Sequence, residues 1–288
     1  MLKLQTPVNL EPAPVSISYE DRILVLGSCF AAEIGQRLTD SAFQVLSNPF
    51  GTLYNPVSVG NALSRLASGI PFTGEDAVEM GAGSGRICSF SHHTSFARPT
   101  TEAFLEEANR SLEEACTFWK SCNKVIITLG TAWAFRFNET GETVANCLKR
   151  PAAEFTRYRL SVSQVRLILE GLLKRNPDKE FIFTVSPIRH LADGAHGNQL
   201  SKSTLLLATE GLPYFPAYEI MMDELRDYRW WAEDMVHPSR QAAAYLCDRF
   251  MEWALPTREW DRYETKMKEW RCRQHRPFYS AEKSISPE

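Results

Sequence analysis

The chain has 288 residues, 44% of them hydrophobic and 23% charged, which suits a packed globular protein and excludes fibrous or disordered polymers. Lys and Arg number 32 against 35 Asp and Glu, a formal net charge of -3, so no overall positive field exists to hold nucleic acid or an anionic membrane. No apolar run reaches the roughly 20 residues that span a bilayer, and residues 1–20 lack a basic end followed by an apolar segment. A cytoplasmic location is therefore expected, with a neutral small molecule or saccharide as partner.

Residues 1–20, with Pro7, Pro12 and Pro14, read as an extended arm over the surface of an α/β domain at 21–255. The run Ile23-Leu24-Val25-Leu26-Gly27-Ser28 has the pattern of a strand buried on both faces, and an amphipathic helix is expected from Phe30 to Leu38. Residues 71–99 have little helical period and read as a hairpin or loop insertion over the site, with Gly81, Gly83 and Gly85 as turn residues. No Gly-Lys-Ser/Thr follows them, so a phosphate loop is not indicated.

A helix is expected over Glu102 to Ser121, a strand over Val125 to Gly130, a helix over Ser161 to Arg175 and a strand over Phe181 to Ser186. Another helix begins near Ser239 and runs through Trp253. Beyond Pro256 the interleaved charges of Arg262, Glu264, Lys266, Glu269 and Arg271 predict a solvated helical extension over 256–288, a candidate contact for homo-oligomers. Alternating strands and helices predict a three-layer α/β/α sandwich with a mainly parallel sheet, flavodoxin-like in its layering. Sites in such sheets form beyond the carboxyl ends of the strands, where Ser28, Gly130 and Ser186 would emerge together.

Seven cysteines, Cys29, Cys88, Cys116, Cys122, Cys147, Cys247 and Cys272, form no CxxC pair and read as reduced thiols. Ser28 lies where a strand ends and a helix begins, so its hydroxyl could cap that helix or serve as a nucleophile beside free backbone amides. Asp234 and His237 are three residues apart at the entry to a helix, a spacing that lets a carboxylate orient an imidazole. Together the three predict a Ser-His-Asp relay, with Ser28 rather than the adjacent Cys29 carrying the reaction.

His92, His93, His190 and His196 exceed what such a relay needs, and with His237 and Asp193 they could hold a divalent metal. No metal-ligand spacing supports that reading, so no metal or cofactor is expected. Substrate binding or structural hydrogen bonding is the alternative role. Arg189 suits a substrate carboxylate or a salt bridge to Asp193, and residues 193–198 suit a sugar-binding lid. Trp133, Tyr214, Phe215, Trp230 and Trp231 read as core aromatics or as a sugar platform.

The segments Gly27-Ser28-Cys29-Phe30-Ala31, Asn48 to Pro56, Ser91-His92-His93, Thr128 to Trp133, Val185 to His190, Asp193 to Asn198 and Asp234 to Pro238 resemble the GSCFA-domain family in order along the chain. That resemblance covers roughly Leu24 to Trp253 and implies kinship with the SGNH/GDSL hydrolases. It implies an SGNH-like fold, Ser28 as nucleophile, Gly51 as an oxyanion donor, and Asp234 with His237 as the acid–base pair. The third block of that group departs here: Gly130-Thr131-Ala132 stands where Gly-x-Asn is usual, leaving Thr131 or Asn55 to replace the amide. Loss of one oxyanion donor costs on the order of 3 kcal/mol of transition-state stabilisation. The implied activity is hydrolysis of a small acyl ester, such as an O-acetyl group on a saccharide. The alternatives are sugar O-acyl transfer, metal-dependent hydrolysis, and saccharide binding without catalysis.

Overall fold

In a computed structural model, residues 6–274 are described. Strands β1 (Arg22–Gly27), β2 (Gln44–Ser47), β5 (Lys124–Leu129), β9 (Glu180–Val185) and β10 (Tyr214–Phe215) form one parallel sheet. Between β2 and β5 lies the hairpin β3 (Val78–Glu79) and β4 (Ile87–Cys88). Strands β6 (Trp133–Phe137), β7 (Thr143–Val144) and β8 (Phe155–Arg159) form a separate antiparallel sheet. The parallel sheet runs in the order β10-β9-β5-β1-β2, so later strands are added outward on one side of β1 and β2 on the other.

The register explains the two cores. Val25 pairs with Ile126 and Ile126 with Ile182, so one set of alternate residues faces one side. Ile23, Val25, Ile126, Ile182 and Phe215 pack beneath helix α1 (Cys29–Asp40), helix α6 (Arg240–Ala254) and helix α7 (Trp260–Gln274). Leu24, Leu26, Val125, Ile127, Phe181 and Phe183 face the other side, against helices α2 (Pro56–Ser68), α3 (Thr101–Ser121), α4 (Val162–Arg175) and α5 (Gly194–Thr209). Strands buried on both faces read as unbroken apolar runs, which is why β1, β5 and β9 were visible in sequence to within one residue. The α/β fold with a parallel sheet between helical layers is as expected.

Helix boundaries follow their caps. Thr100 accepts from the Ala103 amide, Ser161 forms a capping box with Gln164, and Ser239 accepts from the Ala242 amide. Glycine is required at Gly27, where φ is 135° and a Cβ would lie 2.1 Å from the Thr128 carbonyl oxygen. That close approach lets β1 end against β5.

Residues 71–99 contain the expected hairpin, but also pack on α3 and reach the second sheet. The Phe90 ring lies 4.7 Å from Phe137 and 5.8 Å from Phe155. Strands β6 to β8 have no counterpart in the sequence expectations. Their exposed, mixed-polarity residues lack the continuous apolar signature of the main sheet. All seven cysteines, Cys29 to Cys272, are free thiols. Among the described residues no helix is long and apolar enough to cross a membrane. Residues 1–5 of the expected arm and 275–288 of the expected C-terminal extension lie outside the described residues.

Candidate active site

The carboxyl ends of β1 and β5 are tied together by the loop 48–55. The Tyr54 carbonyl accepts from both the Gly130 and Thr131 amides, at 2.8 and 2.9 Å, and the Leu53 amide donates to the Gly27 carbonyl at 2.8 Å. Asn48 accepts from the Gly27 amide through its side chain at 2.9 Å. Backbone groups that a parallel sheet leaves open at its edge are thus satisfied by a neighbouring loop.

Ser28 and Cys29 divide the work at the β1–α1 junction. Ser28 is fully buried, and its hydroxyl accepts from the Phe30 amide at 3.3 Å while sharing a 3.0 Å hydrogen bond with the Thr128 hydroxyl. It is the N-cap of α1 and makes no hydrogen bond to His237. Cys29 is the first residue inside the helix and is half-buried, its sulfur 3.7 Å from the Tyr54 hydroxyl. Its backbone amide is one of the orphan donors of a helix N-terminus and meets no protein acceptor among the described residues.

Asp234 and His237 form the expected pair. One oxygen of Asp234 accepts from His237 Nδ1 at 2.7 Å, and the other accepts from the Val236 and His237 amides at 2.9 and 3.0 Å. These three bonds, those from the amides foremost, hold the Asp234 carboxyl down to about 2. With Nδ1 engaged, the other ring nitrogen of His237 is left to act on a second group. The His237 side chain is 45% exposed, open enough to meet a ligand.

Arg189 holds this loop in place. Its amide donates to the Val236 carbonyl at 3.0 Å, its guanidinium bonds the Met235 carbonyl, and the cation lies 3.8 Å above the Trp231 ring. Met235, in the left-handed region at φ 57°, is kept there by these contacts. The expected alternative of a salt bridge from Arg189 to Asp193 is not formed, because Asp193 pairs with Arg157. Trp133 likewise lies under Arg157, 4.0 Å away, and Phe215 is core.

His190 connects the two halves. Its ring lies edge-on to Tyr54 at 6.5 Å between centroids and against the Gly130 carbonyl, with Lys202, Asp193 and His237 as its charged or ionisable neighbours. Burial first, then the Lys202 charge, push it down to about 4, so it is neutral at ordinary pH. Cys29 thus meets Tyr54 and Tyr54 lies edge-on to His190, while His237, bonded to Asp234, is near enough for its charge to act on His190.

The remaining sequence candidates are used structurally or lie elsewhere. The Gly51 amide donates to the Asn48 carbonyl at 2.8 Å and is not free for an oxyanion. Gly51 is glycine because φ is 76° and a Cβ would lie 2.3 Å from His93 Cβ. Asn55 caps α2 by accepting from the Ser58 amide at 2.9 Å. Thr131 accepts from the Trp133 amide and shares a hydrogen bond with Ser201.

His92 is fully buried among Phe50, Phe72, Phe96 and Phe104, where burial pushes it down to about 3. His93 caps the short turn Thr94–Phe96, and His196 is exposed on α5. Among the described residues, no three His, Cys, Asp or Glu side chains are grouped to hold a metal ion. A cavity of about 840 Å³ lies between α2 and the β6–β7 hairpin, lined by Ser58, Arg65 and Phe137, and none of the relay residues lines it.

Tyr54 and Lys202 were missed in the sequence. Lys202 had a readable signal: Asn198, Ser201, Lys202, Leu205 and Ala208 share one buried stripe of α5, so this lysine lies on the inward face. Tyr54 sits in an irregular loop, where no periodicity marks orientation.

The ordered segments that build this edge of the sheet match the GSCFA family model over residues 22–250. The chain belongs to the GSCFA family. A comparison with curated proteins gives no match. The matched span of this GSCFA chain contains Cys29, Tyr54, His190, Lys202, Asp234 and His237, and it ends inside α6.

Proposed function

We propose that this protein catalyses nucleophilic acyl transfer on a small ester, with Cys29 as nucleophile, His237 as general base and acid, and Asp234 as its orienting carboxylate. This keeps the hydrolytic reading drawn from the sequence, including its kinship with SGNH/GDSL hydrolases, and moves the nucleophile by one residue. The observation that carries it is the contrast at the junction: the Ser28 hydroxyl is fully buried in a cap while Cys29 is only half-buried, beside an unpaired amide.

Thiols are intrinsically stronger nucleophiles than hydroxyls and need less assistance from a base. In the proposed reaction His237 takes the Cys29 proton, and sulfur bonds to the substrate carbonyl carbon. The resulting oxyanion is stabilised by the Cys29 amide and the positive end of α1. Collapse breaks the bond to the alcohol oxygen, which leaves with the proton from His237. Water then attacks the thioester carbonyl, giving a proton to His237; the carbon–sulfur bond breaks, the carboxylic acid leaves, and His237 returns the proton to the Cys29 sulfur.

The substrate class is the one drawn from the sequence: a small acyl ester, with a saccharide as its alcohol. Transfer of the acyl group to a sugar hydroxyl instead of water uses the same steps.

The test is reaction with p-nitrophenyl acetate, read by intact mass and peptide mapping. The expected result is one acetyl group on Cys29 that clears with time, absent in Cys29→Ala. An adduct on Ser28 would return the reaction to the hydroxyl. No adduct and no turnover would leave ligand binding without catalysis as the function.

A further inference from the structure

Lys202 is the unusual charge of this molecule. It is fully buried on α5, and its ammonium donates to the Gly130 carbonyl at 2.7 Å and the Ser186 carbonyl at 2.8 Å. Among the described residues no carboxylate pairs with it; the Tyr218 ring lies 5.5 Å away. A buried cation held only by carbonyl dipoles is costly unless its placement serves something.

The two carbonyls it holds are those that end β5 and β9, the strands on which the active-site edge is built. Gly130 is packed tightly there: a Cβ would lie 3.0 Å from the Tyr54 carbonyl oxygen and 3.4 Å from Ser28 Cβ. The same Gly130 carbonyl lies against His190.

We infer that Lys202 is a positioning residue of the acyl-transfer site, which pins the ends of β5 and β9 and sets a fixed cation behind His190 so that this ring stays uncharged beside His237. The consequence concerns His237, which must carry a positive charge while the oxyanion exists. A charged His190 next to it would oppose that charge. The groups facing His190 come from every neighbouring element: Lys202 from α5, Asp193 from the turn before it, His237 from the loop 231–239, the Gly130 carbonyl from β5 and the Tyr54 ring from the loop 48–55. Asp193, although paired with Arg157, favours a charged His190 and opposes Lys202, whose influence on the ring is the larger of the two. Burial favours the neutral ring and lowers Lys202 itself to about 7, so in mildly acidic solution Lys202 is charged while His190 is not.

The role rests on the acyl-transfer reading, but its measurement needs no substrate. The imidazole carbon–proton signals of His190 are followed by NMR from pH 3 to 8 in the wild type, in Lys202→Met and in Lys202→Gln, the last retaining an N–H donor without the charge. The expected result is a His190 proton affinity at least about tenfold higher in both variants. A merely structural lysine would lower the melting temperature and leave that titration in place, which overturns the inference. Should neither variant fold, the Lys202 ammonium signal of the wild type at pH 5 decides: a charged lysine is expected, and a neutral one overturns the inference. With p-nitrophenyl acetate, the acid limb of kcat/KM should move upward in Lys202→Gln together with His190. The acyl-transfer reading fails separately, through the absence of a Cys29 adduct in wild-type protein whose His190 titrates as expected.

Discussion

Two turns each present a histidine, and they do opposite things with it. In the segment 89–93, His92 is sealed among four phenylalanine rings and has one side-chain partner, the Ser89 hydroxyl at 2.6 Å. In the loop 231–239, His237 is open to solvent and bonded to a carboxylate whose other oxygen accepts from two backbone amides. The first ring has nowhere to put a proton, and the second is built to receive one. The residue type is the same; the dielectric surroundings and the partner decide the chemistry.

The largest effect should come from removing the nucleophile that the exposed pair is proposed to serve. Cys29→Ala is expected to lower ester turnover by at least roughly 10^4-fold, measured in steady state, and retention of turnover would break the assignment. His237→Ala should follow, with a loss of roughly 10^2- to 10^4-fold. His92→Phe, in the sealed turn, should stay within about twofold of wild type because that histidine takes no part in proton transfer. Equal losses in the two histidine variants would erase the contrast.

Asp234→Asn should cost on the order of 10^2-fold by loosening the ring's orientation. Because hydrogen bonding lowers the folded Asp234 carboxyl to about 2, its stabilising contribution is complete above the ordinary carboxylate range and is lost as pH falls through about 2. His92 gives the opposite kind of record. Buried neutral and lowered to about 3, it leaves the unfolded chain as the better proton acceptor between pH 6.5 and about 3. Stability should therefore decline with acid across that window, and His92→Phe should flatten the decline in denaturant titrations at stepped pH.

The smallest effect is expected at Ser28. Ser28→Ala removes a helix cap, costing about 1 kcal/mol of stability, while the Cys29 thiol is retained for acylation. Equilibrium unfolding and the acetyl adduct together read this out.

The main sheet was legible in sequence because β1, β5 and β9 are buried on both faces and therefore nearly uninterrupted in apolar residues. The Asp234–His237 pairing was legible because three residues at a loop-to-helix entry bring the two groups within reach. The short strands β2 and β10 and the sheet β6 to β8 were not, since each is short or half exposed. The side-chain directions at Ser28 and Cys29 were also hidden. Both residues suit a helix start, and only the position of Thr128, one strand away, shows which one turns inward. Arg189 shows the same limit: its partner is a carbonyl in the loop 231–239, and carbonyls leave no mark in a sequence.

The stapling of Tyr54 to Gly130 and Thr131 has a consequence for how the protein is made. Within the matched domain, synthesis delivers the thiol near its start, the strand that seats Tyr54 near its middle, and the imidazole close to its end. Until β5 has paired with β1 the loop 48–55 has no amides to hold, and until the loop 231–239 emerges no base is present. Nearly the whole matched domain must therefore leave the ribosome before the site can first assemble, and a product truncated ahead of the loop 231–239 would carry a thiol without the partner proposed to activate it.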